Sequence, residues 1–222
     1  MFMSKIRMTK AMMDTPARLA RLLESPYGAH QVLWDLFSDG PDRRRDFLFR
    51  EQDKGAFLVV SARKPCGDPQ FDMETKEYKV GLKAGDRVLF SLRANPVRKT
   101  REGERQVRHD IVQDRRKRLE AQGVKARDMP RREDIAREVV PQWLATRAQD
   151  LGLDIEEKSL LVESYQVAKF SKSRDSRPVR LGVLDLRGFA TVRDPEALQS
   201  ALFHGVGPAK AFGCGLLLVR RA

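Results

Sequence analysis

The sequence predicts an α+β protein made of two ferredoxin-like (RRM-like) domains in tandem. Three observations carry this. The chain has 222 residues, room for one large domain or two small ones. Residues 1–84 read strand, helix, strand, strand; from residue 87 the order strand, helix, strand, strand, helix, strand completes the split βαβ pattern. Hydrophobic residues make up 41%, enough for a real core. The expected division is 1–84, carrying the helix discussed below, and 85–222, carrying a basic hairpin and a glycine-rich loop.

The elements follow in order. FMSKIRMT (2–9) alternates loosely, as a strand does. PARLARLLE (16–24) is a short basic helix. SPYGAHQVLWDLF begins a second one, with Ser25 as N-cap and Pro26 at the first helical position. DFLFREQ and GAFLVVSAR (46–63) read as two strands, and residues 71–83 are ambiguous between strand and loop. Lys83-Ala84-Gly85-Asp86 is a turn, and RVLFSLRANP is a strand stopped by Asn-Pro. From Val97 to Glu138, 14 Lys/Arg stand against 9 Asp/Glu with few large apolar residues. Part of it, VRHDIVQDRRKRLE, is expected to be helical and part mobile. Such a run is most often a solvated helix face or disorder. Ile135, Val139, Val140, Trp143 and Leu144 keep helical spacing, with Pro141 as a candidate kink. Strands are expected over 161–170 and 178–192, a helix over ALQSALF behind the capping Asp-Pro-Glu, and GLLLVRR as the closing strand.

Charge narrows the partner. Lys+Arg number 43 and Asp+Glu 31, a net of +12, and the isoelectric point is about 10.0. A chain this basic is expected to meet a polyanion, and nucleic acid is the first choice. No run of about 18 apolar residues is present, so no membrane partner is expected. Cys66 and Cys214 stand far apart in no CxxC pattern, and both are read as reduced thiols in a cytoplasmic protein. His30, His109 and His204 are scattered, so no metal site or cofactor is expected.

Two stretches can carry chemistry. On the helix from Pro26, Ala29, Val32, Leu33, Leu36 and Phe37 form one apolar stripe. Tyr27, His30 and Trp34 fall on another, with Tyr27 one turn behind His30. Histidine takes and gives a proton near neutrality, and a helix N-terminus favours phosphate. On spacing alone, such a pair on a helix is more often packing than catalysis. The second stretch is His204–Arg221. Gly205, Gly207, Gly213 and Gly215 surround Lys210, with neither the P-loop GK[ST] nor GxGxxG. Bare backbone there allows close approach to a phosphate chain, although a tight helix–strand connection also uses glycine. Lys169, Lys172, Arg174, Arg177 and Arg180 crowd around SKSRDSR against one acid, Asp175, and a basic-tipped hairpin can lie along a duplex groove. RGFATV partly matches an RNA-binding strand signature, but Thr191 replaces its second aromatic.

Together, Y-x-x-H followed by LW (Tyr27, His30), RDFLFR (45–50), LRANP (92–96) and GVGPAKAFGCGLL (205–217) resemble the CasE family, the CRISPR-associated endoribonuclease of type I-E Cascade. They occur in family order across nearly the whole chain. The resemblance implies a tandem ferredoxin-like fold. It also implies a metal-independent endoribonuclease that binds the CRISPR repeat stem-loop and cleaves pre-crRNA at its 3′ base. The 2′-hydroxyl attacks, a 2′,3′-cyclic phosphate results, and the protein stays on the crRNA with other Cascade subunits. The family's histidine falls on His30, its tyrosine on Tyr27 and its glycine loop on 205–215. The chain is expected to be a monomer when free. The alternative reading is a non-catalytic stem-loop-binding subunit of a ribonucleoprotein, with Tyr27 and His30 only packing.

Overall fold

The computed structural model describes residues 1–38, 40, 46–171 and 178–222. Strand β1 (Phe2–Met8) leads through a 3-10 turn into helices α1 (Pro16–Glu24) and α2 (Pro26–Asp35). Strands β2 (Phe47–Asp53), β3 (Ala56–Ser61) and β4 (Phe71–Glu77) complete a four-stranded antiparallel sheet in the order β2-β3-β1-β4. That is the ferredoxin-like order; residues 62–70, where a second crossover helix would run, form a loop.

The second sheet repeats the plan. β5 (Arg87–Ala94) lies between β11 (Leu217–Arg221) and the long β10 (Val179–Val192). The far edge of β10 pairs with β8 (Leu153–Ile155) and β9 (Leu161–Phe170). Inserted after β5 are the strands β6 (Val97–Glu102) and β7 (Arg105–Asp110), then α3 (Ile111–Ala121), α4 (Arg132–Ala145) and the single turn α5 (Ala148–Leu151). Helix α6 (Pro195–His204) joins β10 to the closing strand.

Three details depart from expectation. The basic stretch after Val97 opens as an antiparallel hairpin, β6–β7, and not as helix or mobile chain. Val107–Asp110 of the expected helix are the end of β7. The helix starts one residue later because Asp110 caps it, its carboxylate accepting from Val112 N at 2.9 Å and Gln113 N at 3.1 Å. Residues 71–77 of the ambiguous stretch are an edge strand. Pro141 lies within a continuous α4.

The cores explain the strand sequences. In the first sheet Phe47, Phe49, Phe57 and Val59 pack under α1 and α2 with Leu22, Ala29, Val32, Leu33, Leu36 and Phe37. The alternate residues Leu48, Leu58 and Val60 are buried too, against Leu216, Phe203 and Leu218 of the second unit. A sheet covered on both faces needs continuous apolar runs, hence FLF and FLVV. In the second sheet Val88, Phe90 and Leu92 face α4 and α6, while Ser91 and Arg93 between them face the first unit. Among the described residues no helix is long and apolar enough to cross a membrane.

Candidate active site

Helix α2 is placed by its first residues. Ser25 Oγ accepts from Gly28 N at 3.0 Å, and Pro26 occupies the first helical position. Gly28 has a second role that the sequence reading missed. A Cβ there would stand 2.0 Å from the carbonyl oxygen of Arg21, so only glycine lets α2 cross α1 this closely. That contact sets where the neighbouring Tyr27 and His30 point.

His30 is half-buried at the edge of the first core. Its ring stacks on Phe47 (centroids 5.7 Å, 22°) and tilts against Trp34 (5.7 Å) and Phe49 (6.1 Å). The imidazole is thereby held by β2 and by its own helix. Tyr27 points at a different neighbour: its ring lies 6.2 Å from Phe212, which in turn lies 5.0 Å from Phe170 at the end of β9. One aromatic chain therefore ties α2 to the glycine loop and to the root of the basic hairpin.

The loop itself is tightly folded on protein. Gly205 has φ +74°, and a Cβ there would meet the methyls of Leu48 at 2.8 Å. Gly215 has φ +91°, with Val206 O 2.8 Å from the Cβ position, and its N–H donates to Arg93 O at 2.7 Å. Gly213 lies against the Phe49 ring, the same ring that touches His30. Packing requires Gly205 and Gly215; at Gly213 a Cβ would only touch Phe49, and its φ of +75° is what favours glycine. Gly207 is exposed with open space around it. Lys210 donates to His204 O at 2.6 Å, bracing the loop across its mouth. Ala209 is the one non-glycine residue with positive φ among those described (62°), and its carbonyl accepts from Phe212 N. A strained residue of this kind persists only where the surroundings over-determine it.

Of the basic hairpin, Lys169 and Arg180 are exposed and sit directly opposite each other on β9 and β10. Lys172, Arg174 and Arg177 lie outside the described residues, as does Arg45 of the RDFLFR motif. The structure thus brings Tyr27, the glycine loop and the root of the hairpin to one side of the molecule, with His30 one helical turn from Tyr27.

The RDFLFR and LRANP motifs acquire a use that spacing did not show. Arg93 grips Asp185 with two bonds, Nε–Oδ1 at 2.8 Å and Nη2–Oδ2 at 3.1 Å, and Arg50 reaches the same carboxylate at 3.3 Å. Ser164 adds a hydroxyl at 3.1 Å, and Arg93 also donates to Glu51 O at 3.1 Å. Burial lowers the pKa of Arg50, with Asp185 opposing; burial is also the largest single effect on Arg93 and acts to lower it, but the hydrogen bonds to Asp185 and the charges of Asp185, Cys214 and Glu51 together raise it. The cluster joins the two sheets. It also joins the strand that holds His30 to the loop anchored on Arg93 O. Nearby Cys214 is fully buried, and burial pushes its thiol up to about 12, so it is inert packing.

A sequence model of the family described as CRISPR associated protein matches residues 1–221. The Escherichia coli (strain K12) protein named CRISPR system Cascade subunit CasE is 30% identical over 201 residues, 86% of this chain and 89% of that one. CRISPR-associated endoribonuclease Cse3 of Thermus thermophilus is 26% identical over 232 residues, 96% of this chain and 98% of that one. A solved structure of Cse3 bound to a 19 nt RNA has a TM-score of 0.71 at 21% identity, over 99% of this chain and 98% of that one, a likeness of fold. With a family match over nearly its whole length, and the expected motifs in order along it, the chain belongs to the CRISPR-associated protein family, among the relatives of CasE and Cse3.

Proposed function

We propose that this protein is a metal-independent endoribonuclease that binds the CRISPR repeat stem-loop, cuts once at its 3′ base, and stays on the crRNA within Cascade. The observation that carries the reading is the meeting of Tyr27 with the glycine loop through Phe212, one helical turn from His30. The names of the relatives, a Cascade subunit and an endoribonuclease, agree with it.

The chemistry asks little of the protein. The ribose 2′-oxygen attacks the adjacent phosphorus, the bond from phosphorus to the 5′-oxygen breaks, and a 2′,3′-cyclic phosphate and a 5′-hydroxyl result. One proton leaves the 2′-hydroxyl and one must reach the departing 5′-oxygen. His30 carries one of these transfers, and Tyr27 orients the phosphate or hydrogen-bonds its oxygens. The α2 N-terminus adds a partial positive charge. Gly207 with Lys210 is the part of the loop best placed to meet phosphates, because Gly205, Gly213 and Gly215 shape it from within. Lys169, Arg180 and the Lys172, Arg174 and Arg177 segment supply affinity for the stem through its backbone. This reading takes the domain boundary at 84/85, in the turn before β5, with Tyr78, Val80 and Leu82 ahead of it reaching onto the second core. The cytoplasm, where transcripts are processed, is the compartment this reading assigns.

The test is cleavage of repeat RNA in EDTA. His30→Ala should lose ~10²–10⁴ in rate with stem-loop affinity within a few-fold. A 2′-deoxy sugar immediately 5′ of the scissile phosphate should block cutting and permit binding. A specific observation favours the second reading, a non-catalytic stem-loop binder: the stacking of His30 on Phe47 is also what a packing residue does. Binding without any cutting by the wild type would decide for that side, whereas normal cutting by His30→Ala would remove His30 from the mechanism and leave the protein a nuclease.

A further inference from the structure

A cleft of about 870 Å³ lies away from His30, between the β6–β7 hairpin, α3 and α4. Its floor is apolar: Val97, Ile111, Val139 and Trp143. Its walls carry six Lys/Arg against two carboxylates, Asp114 and Glu138. Those two acids are engaged, Asp114 by Arg98 (2.8 Å) and Arg118 (3.0 Å), Glu138 by Arg115 (2.8 Å). The guanidinium carbon of Arg147 lies over Trp143, 4.2 Å from the ring centroid, and Arg147 donates to Val97 O and Trp143 O.

Lys99 and Arg108 remain. They are exposed, have no carboxylate partner among the described residues, and are directly opposite each other across the hairpin. Like charges so placed destabilise a two-stranded ribbon unless an anion lies between them. This is a local cost in an element that forms a sheet of its own, β6–β7.

The cleft also has a defined neighbour. Its lining includes exposed Gly207 and half-buried Pro208, one shoulder of the glycine loop. The other shoulder of that loop, Phe212, touches Tyr27. A strand passing the catalytic helix and crossing the loop at Gly207 enters the cleft next. We propose that this cleft holds the single-stranded RNA that continues 3′ of the scissile phosphate, with Lys99 and Arg108 on its phosphates and Arg147 presenting a flat cation beside its bases.

The strand is the 3′ one because it contains the bond that is cut; the opposite strand at the stem base is a duplex width away. A cleft of this volume takes a few nucleotides and cannot admit a duplex. The apolar floor with an arginine stacked above it suits bases, and the surplus of cations suits their backbone. The inference rests on the function proposed above, and extends it from the cut to the grip on the outgoing strand.

Binding is measured with stem-loop RNAs made uncleavable by a 2′-deoxy sugar before the scissile phosphate. One ends just beyond that phosphate, one carries a 3′ single-stranded extension, and one carries a 5′ extension. The wild type should bind the 3′-extended RNA about tenfold more tightly than the short one at ~50 mM salt. Two phosphate contacts on a single strand give a salt slope of ~1.4, so that gain should shrink about sevenfold by ~200 mM. Lys99→Ala/Arg108→Ala should abolish the gain and leave affinity for the short RNA unchanged. Several results would overturn the inference. They are a wild type indifferent to the 3′ extension, a gain from the 5′ extension, an equal loss on all three RNAs, or a double variant impaired only in joining acidic partner subunits. A wild type that fails to bind the short stem-loop, or to cut the all-ribose repeat RNA, overturns the proposed function itself, which is a different failure.

Discussion

Asp185→Ala tests the joint between the two sheets. The carboxylate is 9% exposed and sits at an irregularity in the pairing of β10 with β9. It accepts from Arg93 twice, from Arg50 and from Ser164. Removing it leaves two guanidinium groups facing each other, with side chains 14% and 27% exposed. Breaking a buried ion pair by deleting one partner typically costs ~3–5 kcal/mol, and the partial exposure of Arg93 puts the expectation near ~3. For a chain of this size that is a fall in Tm of roughly 6–12 °C. Activity should fall as well, below the new Tm. Arg50 follows Phe49, which holds His30, and Arg93 O anchors Gly215 of the loop. Scanning calorimetry gives the first quantity and single-turnover cleavage of repeat RNA the second. A double-mutant cycle with Arg93→Ala should show ~1–3 kcal/mol of coupling. The triple replacement Arg50→Met/Arg93→Met/Asp185→Leu should recover most of the stability, because apolar isosteres commonly match a buried ion cluster. A loss under ~1 kcal/mol for Asp185→Ala with no coupling would refute the reasoning. The apolar contact of Leu48, Leu58 and Val60 with Leu216 would then hold the sheets without help.

Gly28→Ala should cost about 1–3 kcal/mol in thermal unfolding and reduce cleavage more than RNA affinity, since its Cβ meets Arg21 O and moves α2. Asp110→Asn probes a carboxyl whose pKa burial raises, against the helix N–H groups that lower it. Ionised Asp110 is disfavoured in the fold, so the wild type loses stability as pH rises from the ordinary carboxylate range through the raised value. The asparagine, which still caps α3, should therefore melt higher at pH 7, with the gap closing below about pH 4, read by melting across pH. Ala209→Gly should raise stability by about 1 kcal/mol, because it relieves a left-handed alanine; no rise in Tm would mean that the loop is not strained there.

Periodicity made most of the fold legible. The α2 stripe of Ala29, Val32, Leu33, Leu36 and Phe37 is buried throughout, and the strands at 2–8, 47–53, 56–61, 87–94 and 217–221 stand where alternation and apolar runs placed them. The β6–β7 hairpin was hidden because charge masks strand periodicity: Arg98 and Lys99 stand on opposite faces of β6, and Arg108 and His109 on opposite faces of β7. The capping role of Asp110 was the available signal, since a good N-cap four residues into a supposed helix argues for a later start. The Arg50–Asp185–Arg93 cluster was beyond reach of spacing, because its members come from three strands and pair only when two sheets meet.

The glycine loop shows why a motif and a site are different things. Four glycines before a final strand look like backbone laid open to a ligand, and the same four are what a loop needs when it is pressed between Leu48, Phe49 and Arg93. Gly205 and Gly215 answer to that pressure, and Gly207 and Gly213 to a positive φ. What the loop offers outward is its shoulders: Phe212 toward Tyr27, and Gly207 with Pro208 toward the basic cleft. Packing thus makes the loop rigid, and rigidity is what lets it hold two faces at fixed positions. A phosphate chain crossing such a ridge meets the helix dipole and His30 on one side and a surplus of cations on the other. Under the proposed function the glycines serve recognition by fixing that ridge, so enlarging Gly205 or Gly215 should damage both faces together, whereas enlarging Gly207, which has open space but a φ of +70°, should strain the loop locally and disturb chiefly the crossing between them.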